Sequence, residues 1–134
     1  MRTLITSHLS FRECACKCGK CGLGSGPPEF IDPYTASLFE LIREACGNNS
    51  LYITSGWRCI SHNKKVGGHP NSLHLLGMSL DIKKPEWMSL DEFYHIADEI
   101  VGENGGVGLY PSQEFIHIDC GTIIGLKSNR RWTK

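Results

Sequence analysis

The chain has 134 residues, room for one domain rather than two, and a domain of that size hides roughly two-thirds of its unfolded surface. Fourteen Lys and Arg balance fourteen Asp and Glu, so no long-range field draws the protein to nucleic acid or an anionic membrane. Apolar runs are only a few residues long, which excludes a membrane-spanning helix, and the expectation is a monomer that binds no nucleic acid and enters no bilayer.

At the start of the chain, Met1 to His8 lacks the apolar stretch of a signal peptide, so the protein is expected to be cytoplasmic as synthesised. Seven cysteines are an odd number, and four of them (Cys14, Cys16, Cys18 and Cys21) fall within eight residues. Without an export signal, reduced thiols or thiolate metal ligands are the better default than disulfides. Those four thiols could supply a structural zinc site, but the paired C-x-x-C knuckles of such sites are not cleanly present. The simpler reading is a Gly/Cys-rich loop with one or two thiols buried as small apolar groups. His8 is expected in a loosely held arm. Gly22-Leu23-Gly24-Ser25-Gly26-Pro27-Pro28 divides this arm, residues 1–28, from a core at 29–134.

Asp32 and Pro33 form a helix start, with Leu38, Leu41, Ile42 and Ala45 at helical spacing until Gly47. Leu51 to Thr54 is rich in strand formers, and Ser55-Gly56 turns the chain into Trp57-Arg58-Cys59. A short helix from about Ser61 to Val66 ends at Gly67-Gly68. From Gly77 to Ile82 the pattern has period two, with Met78, Leu80 and Ile82 on one face and Ser79 and Asp81 on the other. Ser89 to Glu92 fits a capping box, followed by a helix carrying Phe93, Ile96, Ala97 and Ile100 up to Gly102. Val107 to Tyr110 and Phe115 to Cys120 read as strands joined by a turn at Pro111 to Glu114. Ile116, Ile118 and Cys120 face the core, and His117 and Asp119 share the open face. Strands from separated parts of the chain, with two main helices, make an α+β domain.

Two strands that each present an imidazole or carboxylate on one face bring those groups close if they are sheet neighbours. His74 lies seven residues before Asp81, within reach of it across a Leu75-Leu76-Gly77 turn, and His117 is a third donor. Two imidazoles and one carboxylate suit zinc and leave the fourth tetrahedral place for water. Each histidine, taken singly, is equally read as a surface or hydrogen-bonded core residue. His62, His69 and His95 fit that simpler account, and Cys59 and Cys120 lack the neighbouring base that a nucleophile needs.

The run Ser72-x-His74-x-x-Gly77-x-Ser79-x-Asp81, with Glu114-x-x-His117-x-Asp119 downstream, resembles the signature of the zinc D-alanyl-D-alanine carboxypeptidase family. That family includes D-Ala-D-Ala dipeptidases and phage L-alanyl-D-glutamate endopeptidases. The resemblance takes in Thr54 to Cys59, His62-Asn63, Val66-Gly67-Gly68, Pro70-Asn71-Ser72, Gly106 to Pro111 and Arg131-Trp132, and so covers about Leu51 to Trp132. It implies a Hedgehog/DD-peptidase-like fold, with a small antiparallel sheet packed with helices. It further implies zinc on His74, Asp81 and His117, Glu114 as general base and Arg58 as the cation that stabilises the scissile carbonyl oxygen. Glu114 has the wrong strand parity to share the face of His117, so this role places it in the turn; a plain surface glutamate is the other reading. Asp119 and Ser72 are candidates to orient the metal-bound imidazoles or to meet substrate, and a local turn or strand-end hydrogen bond is the other reading of each. The family pattern commonly has alanine at the position of Ser79, whose hydroxyl is expected to bond to Asp81 or to substrate.

The implied activity is hydrolysis of peptidoglycan stem peptides, in a phage or prophage lysis setting, with the wall reached after release. Two rivals stand beside it. One is a zinc-binding structural or interaction module of the same fold without catalysis, and the other is an interaction domain centred on zinc in the cysteine arm.

Overall fold

The computed structural model describes residues 4–18 and 31–134. A short hairpin opens the described chain, β1 (Leu4–Thr6) against β2 (Leu9–Ser10), and leads directly into one turn of helix, α1 (Phe11–Cys14). Ser10 and Glu13 close that turn as a reciprocal capping box. Leu9, Phe11 and Cys14 are buried, and the His8 backbone N–H and Nδ1 each lie 2.8 Å from the Glu40 carboxylate. The expectation of a loosely held His8 is therefore corrected: apolar burial and an ion pair dock residues 4–18 onto the next helix. Gly22 to Pro28 and Cys21 lie outside the described residues.

Helix α2 (Pro33–Ala45) starts as its sequence dictates, with the Asp32 carboxylate accepting from the backbone N–H groups of Tyr34 and Thr35. Its buried stripe is Thr35, Leu38, Phe39 and Ile42, and Leu41 and Ala45 face solvent. The apolar face is thus rotated from the expected one. Thr35 qualifies for the core because its hydroxyl donates to the Met78 carbonyl at 2.9 Å.

The main sheet has the order β3 (Ile53–Ser55), β4 (Ser79–Lys83), β6 (Phe115–Asp119), β5 (Gly106–Tyr110), β7 (Arg130–Thr133). The first four are antiparallel neighbours, and β7 pairs parallel with β5. The expected small antiparallel sheet packed with helices is present in an α+β chain, with the correction that one edge is parallel. Arg130–Thr133 carries too little alternating apolar character to read as a strand. Arg131 anchors it, its guanidinium bonding to Asp98 and to the Gly102 carbonyl at the end of helix α4 (Leu90–Val101).

Helices α2 and α4 cover one face of the sheet. There Leu80, Ile82, Val107, Ile116 and Ile118 meet Phe39, Ile42, Phe93 and Ala97. Period-two alternation sends Ser79, Asp81, His117 and Asp119 to the opposite face, and the β4–β6 register sets Asp81 across from His117 and Ser79 across from Asp119. A third helix, α3 (Ile60–Lys65), and a 3-10 turn at Leu73–Leu76 border that face.

Phe93 is fully buried between α4 and the sheet, so Phe93→Ala is expected to cost about 3–5 kcal/mol of unfolding free energy. Denaturant titration measures it, and a loss below 1 kcal/mol would contradict this core packing.

Candidate metal centre

His74 is held by the turn that carries it. The Ser72 hydroxyl accepts from the His74 backbone N–H at 3.2 Å, and Gly77 closes the turn in the left-handed region at φ 69°. The imidazole is then fixed at both nitrogens, Nδ1 to the Gly56 carbonyl at 2.7 Å and Nε2 to Asp81 Oδ1 at 3.2 Å. Ser72 caps the backbone, the local turn bond that was its other reading, and the Gly56 carbonyl supplies the ring acceptor. Gly56 is required at that place, since a Cβ there would lie 2.6 Å from the Cys14 carbonyl oxygen.

His117 reaches the same carboxylate from the neighbouring strand, with Nδ1 3.1 Å from Asp81 Oδ1. Its other nitrogen, Nε2, lies 2.8 Å from Asp119 Oδ2. The two rings stand edge to face with centroids 5.3 Å apart. Asp119 is fully buried and saturated: Oδ1 accepts from the Gly106 and Gly121 N–H groups at 3.0 and 2.9 Å and from Arg130. Arg58 completes the cluster, with Nε on Ser55 Oγ at 3.0 Å, one terminal nitrogen on Asn63 Oδ1 at 3.0 Å and the other 3.4 Å from Asp81 Oδ2.

The face expected to be open is sunk beneath a cleft. His74, Asp81 and His117 are only 2%, 6% and 9% exposed, on the floor of a cavity of about 630 Å3. Arg58, His69, Tyr110, Gln113, Phe115 and Trp132 are among its walls. Trp132 packs over His117 with ring centroids 5.0 Å apart and donates its indole N–H to the Tyr110 hydroxyl at 3.2 Å. Gly108 makes the room, because a Cβ on it would come within 2.5 Å of the indole. Asn63, Trp132 and the Gly56 carbonyl are parts of the site that residue chemistry did not single out. The signal for Asn63 and Trp132 lay in the motif segments His62-Asn63 and Arg131-Trp132.

Burial pushes the Asp81 carboxyl up, but the His74 charge and the hydrogen bonds from His117 and His74 outweigh it and hold it below the usual carboxylate range. Burial likewise opposes the charged form of Asp119, and the His117 hydrogen bond and charge reverse that. Burial alone would lower His117, yet its bonds to Asp119 and Asp81 carry it up to about 9.

The donor set fits a divalent ion. Two donors each about 2.0–2.1 Å from a tetrahedral zinc lie about 3.3 Å apart, close to the 3.1 and 3.2 Å between each imidazole nitrogen and Asp81 Oδ1. All three donor atoms fall within 4.8 Å of one another, and each imidazole has its far nitrogen bonded to an oxygen, the arrangement that metal-bound histidines adopt.

Glu114 occupies the turn, as its parity demanded, in the left-handed region at φ 56° and exposed. Its flanking residues Gln113 and Phe115 line the cleft, and Glu114 itself is not among the lining residues. The Ser79 hydroxyl is buried without a hydrogen-bond partner among the described residues, and Ser79 is not among the residues lining the cleft. Of the four arm cysteines that could supply a second zinc site, three are described. Cys14 belongs to the apolar core, Cys21 lies outside the described residues, and Cys16 and Cys18 converge instead with Cys59.

The sequence profile of the family described as Peptidase M15 matches residues 7–119. The chain is also 30% identical over 100 residues to a Haemophilus influenzae protein named "Probable peptidoglycan L,D-endopeptidase MepK". That match covers 69% of this chain and 52% of the relative, so the chain spans about half the relative's length.

Two outcomes follow from the site. Removing the orphaned hydroxyl with Ser79→Ala is expected to raise stability by about 1 kcal/mol, seen as a higher melting temperature; a drop would show that the hydroxyl has a partner. In chelator-treated protein, the raised His117 value contributes stability that is complete below its ordinary 6.5 and lost as pH climbs through about 9. Thermal melts of that form should fall across this window, and a flat profile would contradict the His117–Asp pairing.

Proposed function

This chain belongs to the peptidase M15 family, and from that premise we propose that it is a zinc-dependent hydrolase of peptide bonds in bacterial peptidoglycan stem peptides. The observation that carries the reading is the convergence of His74 Nε2 and His117 Nδ1 on one oxygen of Asp81, at the floor of a peptide-sized cleft. In this proposal residues 29–134 form the catalytic core, with the Hedgehog/DD-peptidase fold. Residues 1–28 are its arm, and a phage or prophage setting brings the enzyme to the wall on release. Both carboxypeptidase and endopeptidase action fit the resemblance, and the name of the Haemophilus relative favours an endopeptidase.

His74, Asp81 and His117 would hold the metal. Zinc bound there supplies Lewis acidity, polarising a peptide carbonyl and making water a stronger acid near neutral pH. The remaining steps belong to the chain. Asp119 would hold the proton on His117 Nε2 and the Gly56 carbonyl that on His74 Nδ1, so that a bound metal would take the inward nitrogen of each ring in place of its contact with Asp81. Arg58, clamped by Ser55 and Asn63, presents a fixed positive charge at the cleft floor, where negative charge develops on the scissile carbonyl oxygen. Glu114 takes a proton from the attacking water and passes it to the departing amine. It sits in the turn between Gln113 and Phe115, which line the cleft.

The exposed place of Glu114, outside the cleft lining, favours as a second reading a metal-binding module without hydrolysis. Glu114→Gln and His117→Ala separate the two. The first is expected to keep the metal at the cleft floor and lose about 10²–10⁴-fold in hydrolysis, and the second to lose both that metal and hydrolysis. Digestion of purified muropeptides followed by mass spectrometry reads the activity and names the bond cut. Full activity in Glu114→Gln would remove it as the base, and an inactive, metal-replete parent would favour the module.

A further inference from the structure

A second cluster of soft donors lies where the N-terminal segment meets the turn after β3. Cys16, Cys18 and Cys59 each offer a sulfur, and the three lie within 4.8 Å of one another. They come from two segments far apart in the chain, and Cys16 Sγ is 3.6 Å from Cys59 Sγ. Two sulfurs each about 2.3 Å from a tetrahedral zinc lie about 3.8 Å apart, whereas a disulfide needs about 2.05 Å and would leave the third thiol over.

Backbone donors point at the sulfurs. The Cys59 backbone N–H donates to Cys16 Sγ and the His62 backbone N–H to Cys59 Sγ, both at 3.4 Å, and such donors stabilise charge on sulfur. Cys59 also caps the start of α3, which fixes its sulfur in place. Uptake of a cation here would release the thiol protons to solvent.

We propose that Cys16, Cys18 and Cys59 hold a structural zinc ion distinct from the one at the cleft floor. The ion staples the N-terminal segment to the loop that builds the cleft. Cys59 directly follows Arg58, the Trp57 N–H donates to the Cys14 carbonyl at 2.7 Å, and Gly56 supplies the acceptor for His74. The arm and the catalytic loop are then one rigid unit.

The test is metal counting on reduced, zinc-replete full-length protein, independent of any hydrolysis. The parent is expected to carry two zinc ions per chain, and a His74→Ala/His117→Ala variant one. Loaded with cobalt, that variant should show thiolate-to-cobalt charge-transfer absorption in the near ultraviolet, and adding Cys16→Ser should abolish it. A His74→Ala/His117→Ala variant that retains no metal, or cobalt absorption without thiolate character, would overturn the site even if the cysteine variants fail to fold. A Cys16–Cys59 disulfide in freshly isolated protein, seen by mass spectrometry, would overturn it as well.

Discussion

A buried carboxylate in need of cations is the constraint around which this fold is arranged. Asp81 is nearly withdrawn from water, and a lone carboxylate in that position costs several kcal/mol at least. Its charge is retained because two imidazoles approach one oxygen and a guanidinium the other. Each partner arrives by a different route. His117 comes by strand register, His74 by a capped turn, and Arg58 by a loop clamped at Ser55 and Asn63. The same concentration of donors that satisfies Asp81 makes the floor of the cleft a candidate cation site.

Orientation at this centre is distributed over the whole domain. The Asp119 carboxylate that fixes His117 is itself fixed by two backbone N–H groups and by Arg130 from the parallel edge strand. The Gly56 carbonyl that fixes His74 sits in a loop bonded to the N-terminal segment. Trp132 closes over His117, in space that only a glycine at 108 leaves open. Elements with no chemistry of their own therefore set the ring positions to within the tolerance that metal coordination demands.

Much of this was legible in the chain itself. The alternation from Met78 to Ile82 and from Phe115 to Cys120 separates core faces from chemical faces, because a strand's side chains point in opposite directions at each step. The helix starts at Asp32 and Ser89 were readable for the same local reason, a side-chain oxygen meeting unpaired backbone N–H groups. The buried phase of α2 was not readable, since Leu41 and Phe39 are both apolar and only the neighbours decide which one is covered. Strand β7 escaped because its stability lies in pairing with β5 and in the Arg131 bonds, not in its own pattern. Cys59 looked like an isolated thiol until folding set it beside Cys16.

What the residue order alone determined is local and periodic: which elements form, which faces carry imidazole and carboxylate, and that Glu114 must lie in a turn. Tertiary structure decided everything that depends on distance across the chain: the shared oxygen of Asp81, the Gly56 carbonyl behind His74, the roof over His117 and the partners of each cysteine. The reason is physical. Backbone geometry fixes side-chain direction within a few residues, whereas donors tens of residues apart meet only when packing and strand pairing bring their segments together.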